Sequence, residues 1–155
     1  PWNNSGDHIL ICGQHEQSLQ WSNMPRMSKW VMTVIEQLQQ YYDYPIVFRP
    51  HPRCRLPAIE RQYQNVYRQH PCKIINTYDD YDIDFTTTKF TVNWSSNPGI
   101  HSIIQGVPAY VGPSSLAYDV ACKKLNMVDN PEMPERQQWL NDYAWTEFTI
   151  DEIRA

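Results

Sequence analysis

The chain has 155 residues, 41% of them hydrophobic and 19% charged, which suits one domain with a buried core and does not suit a disordered chain. Its 13 basic and 17 acidic side chains give a net charge of −4, so we expect no general attraction to nucleic acid or anionic lipid. The apolar runs are short, and no basic segment precedes one at the start, so we expect neither a membrane span nor a signal peptide.

The four cysteines are scattered along the chain, at Cys12, Cys54, Cys72 and Cys122. No two of them have the short spacing that metal sites and thiol redox centres favour. We therefore expect reduced thiols, no metal site and a cytoplasmic protein.

The first third of the chain is predicted to form a strand, a helix and a second strand. His8–Cys12 is a short apolar run, which is typical of a strand buried on both faces. After a polar loop, apolar side chains recur with helical spacing over residues 27–41. Pro45–Phe48 predicts a second strand, and residues 49–53 form a loop rich in arginine and proline.

The middle of the chain continues the alternation with weaker patterns. Residues 57–69 have helical spacing, and Cys72–Asn76 predicts a third strand. The acidic stretch Tyr78–Asp84 predicts the first turn of a short helix, because carboxylates favour helix N-termini. Lys89–Trp94 is rich in β-formers and predicts a fourth strand.

The last part supplies a helix, a fifth strand and a helical tail. Ser95–Gly99 has the residues of a helix start, and Gly106 lies where that helix would end. Val107–Val111 predicts the fifth strand. Residues 134–143 and the capping-box pattern Thr149–Glu152 predict two C-terminal helices.

Five apolar strands joined by helical crossovers predict an α/β fold with a parallel sheet covered on both faces. We expect a doubly wound, Rossmann-like domain with strand order 3-2-1-4-5. Such sheets bind ligands beyond the carboxyl ends of their strands, where the strand order reverses. The loops to inspect are therefore residues 13–16, 49–53, 95–99 and 112–115.

The loop after the second predicted strand has the chemistry of an anion site. Prolines flank His51 on both sides and restrict the backbone there. An imidazole beside the guanidinium groups of Arg49, Arg53 and Arg55 suits a phosphate. The alternative interpretation is a surface turn with solvated arginines.

The loop after the fourth predicted strand places Ser95 and Ser96 before a helix start. Free N–H groups and the helix dipole favour an anion at such a position. Pro98 removes a donor that would be unpaired anyway, and Gly99 lets a ligand approach the backbone. The alternative is ordinary capping, in which Ser96 or Asn97 satisfies those N–H groups.

Together these two loops resemble those of several GT-B glycosyltransferase groups, including bacterial sialyltransferases and the Kdo transferases of capsule synthesis. Ser95–Pro108 is similar to their stretch of paired hydroxyls, small apolar helix, Gly-x-Pro and strand. The chain also resembles glycosyltransferase-like sequences of marine phage and metagenomic origin, which share both loops and a tail similar to Met133–Trp145.

The resemblance implies the donor-binding half of an enzyme that transfers a sugar from a nucleotide-sugar to an acceptor hydroxyl. It makes His51 and His15 the catalytic candidates. The residues implied to bind the donor phosphate are Arg49, His51, Arg53, Ser95, Ser96 and Gly99. Those implied to bind the nucleotide or the sugar are Gly13, Gln14, Ser114, Ser115 and Tyr118. No cofactor and no obligatory metal are implied.

Two features of those families have no counterpart here, namely the acidic motif that supplies a general base and the acceptor-binding domain. The chain also lacks an initiator methionine at Pro1. We therefore expect residues 1–155 to be a single nucleotide-sugar-binding domain and a fragment of a longer two-domain protein, whose other half binds the acceptor.

Other candidate motifs favour structural roles. Asp80–Asp84 contains two Asp-x-Asp pairs, which bind a divalent metal in the other glycosyltransferase fold, but before a predicted helix they are expected to be solvated caps. His101, on the helix behind the serine loop, is expected to be packed or exposed. The glycine motifs of dinucleotide dehydrogenases and of P-loop NTPases do not occur.

Two alternative functions stay open. A CDP-glycerol-type polyol-phosphate transferase has similar histidine and serine loops. A non-catalytic Rossmann-like module that binds a nucleotide or a partner is the alternative from a different class.

Overall fold

The computed structural model describes residues 1–75 and 82–146. Within them, one all-parallel sheet has the order β3-β2-β1-β4-β5, which confirms the predicted fold class and strand order. The strands are β1 (His8–Cys12), β2 (Ile46–Arg49), β3 (Val66–Arg68), β4 (Thr88–Val92) and β5 (Ala109–Tyr110). The helices are α1 (Met27–Gln39), α2 (Asn97–Ile104) and α3 (Gln137–Thr146). Short 3₁₀ turns occur at Leu19–Trp21, Ile59–Gln62, Tyr118–Val120 and Leu125–Met127.

The two faces of the central strand β1 pack against different layers. Ile9 and Ile11 belong to the core that contains the buried side of α1. Leu10 and Cys12 point to the other face, where they pack with Phe85. These four of the five β1 side chains are at most 1% exposed, so the apolar run in His8–Cys12 reflects burial on both sides.

Helix α2 covers the face opposite to α1. The Ser102 hydroxyl on α2 is hydrogen-bonded to the Thr91 hydroxyl on β4 at 2.8 Å, and both residues are fully buried. Ile100 and Ile103 on the same helix pack against Val111, just beyond β5. The sheet therefore carries a helix on each face, as the doubly wound fold requires.

The third strand is not where the sequence pattern predicts it. The structure forms β3 at Val66–Arg68, inside the segment predicted to be helical, and residues 72–75 of the predicted strand Cys72–Asn76 form no strand. A three-residue edge strand needs to bury only Val66, which is 7% exposed, whereas Ile75 is 85% exposed. The apolar character of Cys72–Ile75 therefore does not indicate a core strand.

The remaining helix predictions have mixed outcomes. The helix expected over residues 57–69 is confirmed only as the 3₁₀ turn Ile59–Gln62, and residues 82–84 are not helical. Residues 78–81 and Thr149–Glu152 lie outside the described residues. The helix expected over residues 134–143 is confirmed as α3 with shifted ends. Across 1–75 and 82–146, none of the helices has both the length and the apolar character needed to cross a bilayer.

Candidate functional site

A cleft of about 280 Å³ opens where β1 and β2 end and α2 begins. The cleft lies at the carboxyl edge of the sheet, next to the central strand β1, where the strand order reverses. This is the position at which doubly wound folds bind ligands. The lining residues are Cys12, Gly13, Arg49, Pro50, His51, Pro52, Ile83, Ser96, Asn97, Pro98 and His101. The cleft therefore brings together the two loops that the sequence singled out.

The His51 ring is held by its own loop. Its Nδ1 atom accepts a hydrogen bond from the backbone N–H of Arg53 at 3.0 Å. Because this nitrogen is an acceptor, the neutral ring carries its proton on Nε2. In this tautomer the ring has an N–H on Nε2, and the half-buried His51 lines the cleft.

His15, from the loop after β1, repeats this arrangement beside His51. Its Nδ1 accepts from the backbone N–H of Gln17 at 3.1 Å, and the two histidine rings lie 5.4 Å apart between centroids. His15 is half-buried, but it is not among the residues that line the cleft. The structure therefore places the two catalytic candidates side by side, with His51 nearer to the cleft.

Each serine of the β4–α2 loop makes two hydrogen bonds to one carboxamide side chain, one through its backbone N–H and one through its hydroxyl. Gln14 Oε1 accepts from the Ser95 backbone N–H at 3.0 Å, and Gln14 Nε2 donates to Ser95 Oγ at 3.0 Å. Asn93 Oδ1 accepts from the Ser96 backbone N–H at 3.0 Å, and Asn93 Nδ2 donates to Ser96 Oγ at 2.9 Å. Gln14 therefore holds the loop together rather than facing the cleft.

The two hydroxyls differ in their access to a ligand. Ser95 is 9% exposed and does not line the cleft, whereas the half-buried Ser96 does. Ser96 is the N-cap residue of α2, yet no side-chain hydrogen bond caps the helix. The ordinary capping role considered for Ser96 is therefore not observed, and its hydroxyl lies beside the positive end of the helix dipole.

Gly99 is required by packing inside the first turn of α2. A Cβ at this position would lie 2.9 Å from both Asn93 Oδ1 and Val111 Cγ1. The space that a side chain would occupy is filled by protein, and Gly99 is not among the cleft-lining residues. Its role in the structure is to make room for Asn93, not to let a ligand approach the backbone.

The two arginines assigned to the donor phosphate have different settings. Arg49 lines the cleft but is 7% exposed, and its guanidinium donates to Gln69 Oε1 at 3.0 Å and to the Asp82 carbonyl oxygen. The Asp82 carboxylate lies 3.9 Å from Arg49 Nη2. Arg53 is exposed and does not line the cleft. Arg49 thus adds positive charge at the cleft wall, while its Nη1 and Nη2 groups each donate to protein oxygen atoms.

The residues after β5 lie apart from the cleft. Ser115 is buried, and its hydroxyl accepts from the backbone N–H of Ala117 at 3.1 Å. The Tyr118 ring has the ammonium of Lys123 above it at 3.8 Å from the centroid. Ser114 is exposed, and none of Ser114, Ser115 and Tyr118 lines the cleft. Gly13, from the same set of predicted nucleotide- or sugar-binding residues, does line it.

The Cys12 sulfur is protonated, and the Nδ1 atoms of His51 and His15 already accept hydrogen bonds from the protein. Burial raises the pKa of the Cys12 thiol to about 12, even though Arg49 nearby acts to lower it, so this cleft residue is a neutral thiol. Within the described residues, no three His, Cys, Asp or Glu side chains are grouped so that they could hold a metal ion. A metal-binding histidine normally donates its second ring N–H, whereas Nδ1 of His51 and of His15 accepts.

Sequence reasoning missed Asn93 and undervalued His101. Asn93 is 0% exposed and joins the end of β1 to the start of α2, because Nδ2 also donates to the Cys12 carbonyl oxygen at 2.9 Å. The signal available in the sequence was that Asn93 is a polar residue near the end of a predicted strand that is otherwise largely apolar. His101 is exposed and lines the cleft from α2, so the expectation of an exposed histidine is correct, but its location at the site was not predicted.

Comparison of the sequence with protein-family models and with curated proteins, and of the fold with solved structures, found no significant match.

Proposed function

We propose that this domain is the donor-binding half of a glycosyltransferase and that its cleft binds the phosphate groups of a nucleotide-sugar. The observation that carries the proposal is the presence of His51 and Ser96 on the walls of one cleft at the carboxyl edge of the sheet. They come from separate loops. Each accepts a hydrogen bond from the protein, at His51 Nδ1 and at Ser96 Oγ, and each also carries a proton, on the neutral imidazole and on the hydroxyl. The proposal also rests on the resemblance of both loops to those of GT-B enzymes.

The proposed chemistry is displacement at the anomeric carbon of the donor sugar by a hydroxyl of the acceptor. The bond from that carbon to the phosphate oxygen breaks, and negative charge develops on the leaving phosphate. The Nε2–H group of His51, the Ser96 hydroxyl and the N-terminus of α2 would stabilise this charge, with Arg49 adding a longer-range field. A second domain of a longer protein would bind the acceptor and supply the general base that takes the proton from the attacking hydroxyl.

The binding step is tested by His51→Ala, with His70→Ala as the matched control because His70 is exposed and does not line the cleft. We expect His51→Ala to weaken binding of CMP-, UDP-, GDP- or CDP-linked ligands by about tenfold or more, since a hydrogen bond to a charged group is lost. Ligand-induced thermal stabilisation and isothermal titration measure this effect. Equal affinities of wild type and His51→Ala would remove His51 from the site.

Transfer itself is tested in a longer protein that contains this domain. Release of nucleotide with loss of the sugar from a nucleotide-sugar would support the glycosyltransferase, whereas consumption of CDP-glycerol would support the polyol-phosphate transferase. Binding of a nucleotide without turnover of either donor would favour the non-catalytic module.

A further inference from the structure

The orientation of the Asn93 carboxamide is determined by two hydrogen-bond partners, one of which can only donate and the other only accept. The backbone N–H of Ser96 can only donate, so the Asn93 atom 3.0 Å from it is the oxygen. The carbonyl oxygen of Cys12 can only accept, so the atom 2.9 Å from it is the nitrogen. Asn93 is 0% exposed, and the lack of a side chain at Gly99 leaves the room that its oxygen occupies.

This orientation determines whether the Ser96 hydroxyl donates or accepts in its hydrogen bond with Asn93. Asn93 Nδ2 lies 2.9 Å from Ser96 Oγ, and as an NH₂ group it must be the donor in that hydrogen bond. The hydroxyl is therefore an acceptor towards Asn93, which leaves its own proton for a different partner. Ser96 lines the cleft, so the cleft is one direction in which that proton can point.

We propose that Asn93 is a positioning residue that directs the Ser96 hydroxyl proton into the cleft, where it would donate to a phosphoryl oxygen. This inference rests on the proposed function for its ligand. Asn93 contacts no ligand itself and acts through Ser96. The Gln14 side chain holds Ser95 in the same manner, but Ser95 does not line the cleft.

The test uses Asn93→Asp, which keeps the size of the side chain and the oxygen that accepts from the Ser96 N–H. The new carboxylate cannot donate, so the Ser96 hydroxyl is expected to turn and donate to it. UDP-glucose, GDP-mannose and CMP-sialic acid are the probes, because their phosphodiester groups do not titrate between pH 5 and 8. At pH 8 we expect Asn93→Asp to bind the probe that the wild type prefers at least about tenfold more weakly.

Two comparisons separate hydroxyl orientation from simple charge repulsion. Asn97→Asp makes the same chemical change on the cleft wall one residue after Ser96, and we expect a smaller loss from it. In a Ser96→Ala background, where there is no hydroxyl to turn, the penalty of Asn93→Asp should shrink by at least about threefold. An undiminished penalty in that background would overturn the inference.

The pH profile tests whether the effect of Asn93→Asp follows the charge of the introduced carboxylate. Its pH dependence should be smaller in the Ser96→Ala background, where there is no hydroxyl to turn. Burial raises the pKa of a carboxyl group, so acidification should protonate the introduced carboxylate and restore a donor to Ser96. The ratio of the Asn93→Asp dissociation constant to that of the wild type should therefore fall as the pH drops from 8 to 5. A ratio that stays constant would contradict the inference.

A neutron crystal structure of the unliganded wild type tests the inference without any ligand. We expect the deuterium on Ser96 Oγ to point into the cleft, and a deuterium pointing at Asn93 or at a buried carbonyl oxygen would overturn the inference even if Asn93→Asp does not fold. If no probe binds the wild type while the deuterium points into the cleft, the proposed function fails and the orientation of the hydroxyl is supported.

Discussion

Gly99, in the first turn of α2, packs against Asn93 and Val111, and substituting it measures how tightly these residues are packed. We expect Gly99→Ala to lower the free energy of unfolding by about 1–3 kcal/mol, because the new methyl group would overpack against Asn93 and Val111. Gly13→Ala is the control, since a Cβ there would meet its neighbours only at 3.6 Å or more. Urea denaturation of both variants measures the difference, and a neutral Gly99→Ala would contradict the packing described here.

The candidate site shows which individual residues can be predicted from sequence. His51 and Ser96 could be found because they follow predicted strands, and the ends of parallel strands meet at one edge of the sheet. The burial of Gln14 and Ser95 could not be predicted, because nothing in the local sequence distinguishes a serine that lines a cleft from its buried neighbour. That distinction depends on contacts between residues 81 positions apart.

At the scale of secondary-structure elements, helix α1 depends on a residue outside itself. Its N-cap Arg26 makes no capping hydrogen bond, and the Glu16 carboxylate accepts from the Met27 backbone N–H at 2.8 Å instead. We expect Glu16→Ala to destabilise the fold by about 0.5–2 kcal/mol, the usual effect of losing a cap. Gln17→Ala, at an exposed side chain in the same loop, should change stability by less than about 0.5 kcal/mol. Thermal unfolding of both variants tests this, and equal effects would exclude the cap.

The placement of β3 makes a second prediction about elements. Val66→Ala should lower the free energy of unfolding by about 1–2 kcal/mol, because Val66 is 7% exposed and packs in the main core. Ile75→Ala should be neutral within about 0.5 kcal/mol, because Ile75 is 85% exposed. The reverse order of effects in urea denaturation would restore the strand that the sequence pattern predicts at Cys72–Asn76.

The long elements were predictable and the short ones were not, for a physical reason. Helix α1 presents four turns of apolar periodicity and β1 a run of buried residues, so each carries its own signal. Strand β3 has three residues and one buried side chain, and it exists because Ile46–Phe48 of β2 offers a free edge with which it pairs. Such a strand is specified by its neighbour in space rather than by its own sequence.

At the scale of the whole molecule, thiol and phenol groups with raised pKa values predict a loss of stability in alkali. Burial raises the pKa of Cys12 and of Tyr63 to about 12 and that of Cys122 to about 11, with a hydrogen bond to Glu36 adding to the effect at Tyr63. The unfolded chain releases these protons nearer pH 9–10, so above that range it binds fewer protons than the folded chain. The free energy of unfolding should therefore fall as the pH rises from about 9 towards 11.

Urea denaturation under reducing conditions at pH 8, 9 and 10 measures this slope. All four cysteines are free, so a Cys12→Ala/Cys122→Ala variant can be compared with the wild type without breaking a disulfide. We expect the double variant to lose stability less steeply with pH. The same slope in both proteins would show that the two thiols do not control the alkaline limit.

Binding of a phosphate-containing ligand between the His51 loop and the start of α2 can be detected by a ¹⁵N NMR titration with UDP-, GDP-, CDP- and CMP-linked sugars. We expect at least one of them to shift the backbone signals of Gly13, His51, Ser96 and Asn97, which line the cleft, more than any others. No shift with any of them, or the largest shifts at Ser114–Tyr118 beyond β5, would contradict the account.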